Sequence, residues 1–365
     1  MRLLPLLMML LLLAACGKKD PYAAVTKEEA LAFAKKLETT VRRGNTGFGN
    51  DAVNFDILNE RINKALVGIK KNIDIRDFGA GKSFRFGEII AGQILGRGHY
   101  RLVNHYRTNN EQHLVFRLYG GQQGGVNYHD ITLVKPKEDV QIADVLVYIT
   151  GMQISATFAE EMRTVLHEKT DEHYRRYVSQ VQEDMTSKRM AGEWSDLITF
   201  YDQLPEQLQW HKAMLVMAME ASRQLPDPEA EERYMQRYRR QVKTVTDKPL
   251  VEYSYYYTRE KTDSALYFLN QLDSLLHGDP HLDASRAELL IMEGRYAEAD
   301  EALTTLNRSK YCFGDALYLQ VFIKAMSADF DAAYTLLKKW RKMPDYDGAK
   351  ANELASFFPQ LGLHQ

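Results

Sequence analysis

"EGRYAEADEALTTL" (293–306) and "SADFDAAYTLLKKW" (327–340) overlay without a gap. Tyr296 falls on Phe330, Ala299 on Ala333, Leu303 on Leu337 and Leu306 on Trp340, with one constant interval of thirty-four positions between the members of every pair. One step of the same length toward the N-terminus reaches "EKTDSALYFLNQL", where Ala265, Leu269 and Leu272 take the same places. Two more reach Trp194, Leu197, Tyr201 and Leu204 in "AGEWSDLITFYDQL". The unit between, around Pro228, Met235 and Tyr238, keeps the length but not the pattern. Each unit carries apolar residues at helical spacing in both halves and cannot bury them alone, so stacking on its neighbours must supply the partner surface. The second half of the chain is therefore expected to be an all-α helical-repeat solenoid over 156–345, with 346–365 as a tail or capping helix.

The repeat resembles the tetratricopeptide family over residues 178 to about 345. Gly192 and Gly294 match the family's glycine at the turn between helices, Trp194, Tyr296 and Phe330 its aromatic, and Ala265, Ala299 and Ala333 its small position. Unit two departs, with "LPDPEAEE" at the turn and Glu231 in the small place, and Thr262 replaces the next aromatic. Those pairs are expected to cross at altered angles. The resemblance implies a concave groove, lined by the first helix of each unit, that holds a peptide or another protein. Carried across unit by unit, the groove positions are Gln182, Arg189, Glu220, Arg223, Tyr257, Glu288, Tyr318 and Phe322.

Two other features of this half have simpler readings. Asp227, Glu229, Glu231 and Glu232 open a helix that Arg237, Arg239, Arg240 and Lys243 close, which complements the helix dipole and reads as a solvated face. In "VEYSYYYTRE" (251–260), helical spacing puts Tyr253, Tyr256 and Tyr257 on the face that packs against neighbouring helices.

The first half reads differently. "TKEEALAFAKKLETTVRR" (26–43) opens on a Thr26/Glu29 capping box and repeats apolar residues at Leu31, Ala34, Leu37 and Val41. A second amphipathic helix, "NFDILNERINKALVGI", follows with Phe55, Leu58, Ile62, Leu66 and Ile69 on one face. From Tyr100 the period becomes two, predicting strands near 100–108, 112–119, 126–135 and 140–150, joined by "TNNE", "GGQQGG" and "KPKED". Helices followed by an antiparallel meander define an α+β sheet domain over 26–155. Its order and length resemble the cone-shaped fold of ketosteroid isomerases and their non-enzymatic relatives. That resemblance implies a rival function, a small-ligand binder or isomerase-like enzyme whose pocket would use Asp and Tyr. Strand alternation puts Tyr128 with Asp130 on one face and Asp144 with Tyr148 on one face, the candidates for such a pocket.

The N-terminus supplies an address. Arg2, an apolar run from Leu3 to Leu13 and the small residues Ala14 and Ala15 have the layout of a signal peptide over 1–15, too short for a permanent span of about 20 residues. Leu13-Ala14-Ala15-Cys16 resembles the lipobox of bacterial lipoproteins, which implies lipid on Cys16 and a tether over 16–25. Two or three acyl chains hold a soluble domain at a membrane surface. Gly17 in place of Asp resembles the outer-membrane sorting signal. With Cys16 lipidated, Cys312 is the only thiol left, so no internal disulfide forms, and its apolar neighbours read it as a small buried residue.

Composition excludes several classes. With 47 basic and 49 acidic residues the chain has no electrostatic footprint for nucleic acid. "GAGKS" (79–83) lacks the first glycine of a phosphate loop, where Arg76 stands. The histidines of "HEKTDEH" (167–173) are six apart and fall on different sides of a helix. No metal site, cofactor or catalytic residue is expected. The chain thus reads as an envelope lipoprotein that binds a protein or peptide, with the small-ligand binder or isomerase-like enzyme as the alternative. A pure spacer would instead have its groove filled by the chain's own tail, "ELASFFPQLGLHQ".

Overall fold

The computed structural model describes residues 22–68, 72–78, 84–94, 98–120, 126–167, 172–241, 248–308 and 314–361. Cys16, Cys312, Ile69, Lys243, "GAGKS" and the centre of "HEKTDEH" lie outside the described residues.

Helix α1 (Lys27–Arg42) starts on the expected capping box: the Glu29 N–H donates to Thr26 Oγ1 at 3.2 Å and the Thr26 N–H to Glu29 Oε2 at 2.9 Å. Its buried stripe is Ala30, Phe33, Ala34, Leu37 and Val41; Leu31, expected inside, faces outward and Phe33 takes its place. Helix α2 (Gly47–Asp51) precedes α3 (Phe55–Ala65), which Asn54 caps by accepting from the Ile57 N–H at 2.9 Å. Leu58, Ile62 and Leu66 are buried. Helix α4 (Phe86–Gln93) crosses α2 backbone to backbone, because a Cβ on Gly87 would lie 2.2 Å from the Thr46 carbonyl oxygen.

Strands β1 (His99–Thr108), β2 (Glu111–Tyr119), β3 (Val126–Val134), β4 (Gln141–Val147) and β5 (Met152–Gln153) form one antiparallel sheet in chain order. The β1–β2 turn is tight because Asn109 and Asn110 both take positive φ, 48° and 66°, which matches the twist of the strands it joins. The short β5 carries no sequence signal of its own. One face of the sheet packs on α1, α3, α4 and α5 (Ile154–His167) through Leu114, Phe116, Ile131, Leu133 and Val145.

Helices follow in pairs: α6 (Glu172–Ala191) with α7 (Trp194–Asp202), then, after the short α8 (Glu206–Gln209), α9 (Lys212–Arg223) with α10 (Pro228–Gln241). After them come α11 (Pro249–Thr258) with α12 (Thr262–Leu276), α13 (Pro280–Met292) with α14 (Tyr296–Arg308), and α15 (Gly314–Met326) with α16 (Phe330–Trp340). The second helices begin at Trp194, Pro228, Thr262, Tyr296 and Phe330, so the interval read from the sequence separates every successive pair of starts. Their core positions recur at the same interval: Leu197, Glu231, Ala265, Ala299 and Ala333 are all buried, as are Tyr201, Met235, Leu269, Leu303 and Leu337. At the turns, Gly192, Glu260, Gly294 and Ala328 hold positive φ in register, two of them without being glycine. Pro226 occupies the fifth such place, where its ring forbids that conformation. Helix α17 (Gly348–Phe357) closes the series; its Ala351 and Leu354, with Leu361 of the 3-10 turn that follows (Pro359–Leu361), pack against Leu317, Val321, Leu337 and Trp340.

The second face of the sheet is covered as well. Val115, Tyr128 and Tyr148 join Leu250, Leu272, Leu276, Leu282 and Leu289 of α11, α12 and α13 in one apolar cluster. Each such buried side chain contributes on the order of 1.5–3 kcal/mol. The sheet is thus an inner layer, with its own helices on one side and the later helix pairs on the other.

Candidate functional site

The seam between sheet and helix pairs is built around the turn from α12 to α13. Asn104 of β1 donates to the carbonyls of Leu276 and His277 at 3.2 and 2.9 Å, capping the end of α12. Asp279 caps the start of α13 by accepting from the His281 N–H at 3.0 Å, and Arg117 Nη1 of β2 reaches the two oxygens of the same carboxylate at 2.6 and 2.8 Å. Burial pushes the Asp279 carboxyl up, but Arg117 and the start of α13 outweigh it and hold it below its usual value. His281 beside it is pushed down to about 4 by burial and by Arg117.

The four pocket candidates fall in and beside this seam. Tyr128 is 0% exposed and donates to Asp279 Oδ2 at 2.8 Å. Asp130 accepts from the Tyr106 hydroxyl and lies 3.0 Å from His113 Nδ1, while Tyr106 stacks on the His113 ring at 4.6 Å. Tyr148 packs edge-on against Tyr128 at 6.1 Å between ring centres. Tyr128, Asp130 and Tyr148 therefore share one face, but the α12–α13 turn fills the space in front of it. Asp144 is engaged elsewhere, accepting from Ser155 Oγ at 2.5 Å and lying 3.8 Å from Arg61. Burial raises its carboxyl despite those partners. A shallow depression of about 220 Å³ does occur on the sheet, lined by Tyr22, Val25, Arg107, Glu111, Leu133 and Val134; none of the four candidates reaches it.

Five of the eight positions expected to line a groove form a ladder together with Ser254. Arg189 Nε donates to Glu220 at 2.7 Å, Arg223 Nη1 to Ser254 Oγ at 2.8 Å, and the Tyr257 hydroxyl to Glu288 at 3.3 Å. Donors 189, 223 and 257 follow one another at the repeat interval, and so do acceptors 220, 254 and 288. Gln182 turns back to Glu161 of α5 at 3.1 Å. At the far end Phe322 meets the tail residue Phe358, with 5.9 Å between ring centres, so the tail takes one of the eight positions. Tyr318 packs on Trp340 and lies under Lys350 Nζ at 5.2 Å.

Asp315 and Lys350, which sequence reasoning did not single out, form a pair of their own beyond the last rung of this ladder. Lys350 Nζ donates to Asp315 at 2.7 Å. Glu288 is pushed up to about 7, first by burial and then by Asp315; Lys350 and Tyr257 oppose the shift without cancelling it. Tyr119, at the end of β2, feels Asp315, Lys350 and Glu288 together. The signal that could have found Lys350 is the period itself, since Pro280, Gly314 and Gly348 begin helices at the repeat interval.

The charge run of α10 is only partly solvated, contrary to the expectation. Glu231 is 6% exposed and bridges Arg223, at 2.8 Å, and Arg259. Arg239 pairs with the buried Glu252 at 2.8 Å and lies 4.9 Å over the Tyr255 ring. Its neighbours Tyr253, Tyr256 and Tyr257 pack against the sheet-facing cluster, and Tyr255 is the most buried of the four tyrosines in that stretch.

Among the described residues no helix is long and apolar enough to cross a membrane. No protein-family model, curated protein or solved structure matches the chain, so the chemistry of these residues carries the functional argument.

Proposed function

We propose that the chain is a bacterial lipoprotein held at the outer membrane by lipid on Cys16, and that its helix pairs form a tetratricopeptide-like array that docks a protein or peptide partner. The observation that carries this reading is the ladder Arg189–Glu220, Arg223–Ser254, Tyr257–Glu288. Its constant step supports a reading in which equivalent positions of successive first helices line one partly exposed polar track. Such a track, with mixed charge and aromatic rings, suits a peptide better than a small apolar ligand. The filled sheet face favours this reading over an isomerase-like pocket, because a pocket at Tyr128 would require the α12–α13 turn to leave.

The test is recovery of the lipidated protein from detergent-solubilised membranes with whatever it holds, compared with Glu220→Lys and Tyr318→Ala. Substitutions are preferred to truncation, since removing the helices would bare Tyr128 and Tyr148. A partner held by wild type and lost from both variants is expected. A partner retained by both, or none with wild type, contradicts the groove reading. Recovery of Cys16→Ser in the membrane fraction contradicts the anchor.

A further inference from the structure

Helices α11, α13, α15 and α17, together with the end of β2, bring Tyr257, Glu288, Asp315, Tyr318, Lys350 and Tyr119 to one stretch of the track. Within it the two carboxyl groups are treated unequally. Asp315 has its cation: Lys350 Nζ sits 2.7 Å away and 5.2 Å from the centre of the Tyr318 ring, so an ammonium framed by a carboxylate and a phenol ring is already part of the molecule. Glu288 has no such partner. Its only hydrogen bond among the described residues is the 3.3 Å contact from the Tyr257 hydroxyl, which leaves its other oxygen without a donor.

We propose that Glu288 receives the ammonium of a lysine side chain on an extended peptide partner, with Tyr257 and Tyr119 as the walls of that position; this deepens, and rests on, the groove reading above. The occupant follows from charge complementarity: a half-buried carboxyl with one weak donor gains most from a group that brings both positive charge and several N–H donors. The position of Lys350 on the neighbouring carboxylate is the internal example of the same chemistry. The raised titration of Glu288, caused by burial and Asp315, agrees with a carboxyl awaiting a counter-charge.

The test uses the full chain and an array of short synthetic peptides. Each lysine-bearing peptide is presented with the lysine free and with it acetylated, against wild type and Glu288→Gln. Wild type is expected to select peptides that share one lysine, acetylation of that lysine to weaken binding on the order of 10-fold, and Glu288→Gln to lose a similar factor. Acetylation reads the contact from the peptide side, so the result does not depend on how well the variant folds. Selected peptides indifferent to acetylation overturn this inference while leaving the groove reading in place. Selection of no peptide by wild type overturns both.

Discussion

Arg117 and Asp279 are 162 residues apart in the chain, yet Arg117 Nη1 lies 2.6 and 2.8 Å from the two oxygens of Asp279. The same carboxylate caps α13 and accepts from Tyr128, so one residue ties a helix start, a strand and a buried phenol together. Sheet and helix pairs are thereby joined by a buried polar node inside an apolar seam.

Removing one member of that node is expected to cost more than the pair contributes. Arg117→Ala leaves Asp279 buried and unpaired and should destabilise the chain by about 3–5 kcal/mol in denaturant unfolding. Because the Asp279 carboxyl is held low, its contribution is present above the unfolded value of about 3.9 and is lost as pH falls through the folded value. Acid unfolding of wild type should therefore steepen below about pH 4, a feature that Asp279→Asn lacks. A loss under about 1 kcal/mol for Arg117→Ala would show that the seam is held by its apolar contacts alone.

Glu288 has the opposite sign. Its raised carboxyl binds a proton more tightly in the folded chain than in the unfolded one, so stability falls as pH rises between about 4.5 and 7. The groups that set this are Asp315, Lys350 and Tyr257, with Tyr119 and Tyr318 alongside. Relative to Glu288→Gln, wild type should lose about 1–2 kcal/mol across that window, after discounting for solvent at a group that is only partly buried. Parallel stability curves for the two proteins would contradict it.

Gly87 tests the packing of the N-terminal helices. Ala at this place would put a methyl group 2.2 Å from the Thr46 carbonyl oxygen, so α2 and α4 must separate. A loss of about 2–3 kcal/mol is expected for Gly87→Ala. Gly44→Ala serves as the comparison, since its added methyl meets nothing within 4 Å and only its positive φ is penalised, by about 1 kcal/mol. Equal melting temperatures for the two variants would refute the close approach.

Glu231 separates sequence pattern from local chemistry. Alanine stands at the equivalent places 265, 299 and 333, so Glu231→Ala makes unit two more regular. It also leaves Arg223 and Arg259 without their shared carboxylate. The chemistry should win, with a loss of about 2–3 kcal/mol by thermal unfolding. A neutral or stabilising result would mean that the ion pairs contribute nothing net.

These residues also show what can be read in advance. The Thr26/Glu29 capping box, the Asn109-Asn110 turn and the constant repeat interval depend on neighbours in sequence, and each lies where local rules put it. Leu31 misleads because Ala30, Phe33 and Ala34 offer an equally regular stripe with a larger side chain to bury. Burial of Glu231 is hidden because it depends on Arg223 and Arg259 arriving from two other helices. The seam is hidden for the same reason: strand alternation correctly pairs Tyr128 with Asp130, but does not say what lies in front of them. Arg117 and Asp279 give no local signal at all, since their partnership depends on how the sheet meets the α12–α13 turn.

The most direct test of the central claim is site-specific photo-crosslinking in cells that make the full chain. A crosslinking residue is placed at Glu220 or Tyr318 on the track, and at Tyr267, an exposed residue of α12, as the comparison. The account predicts a discrete adduct from both track positions and none from Tyr267. Equal adducts from all three positions, or none from the track, would contradict it.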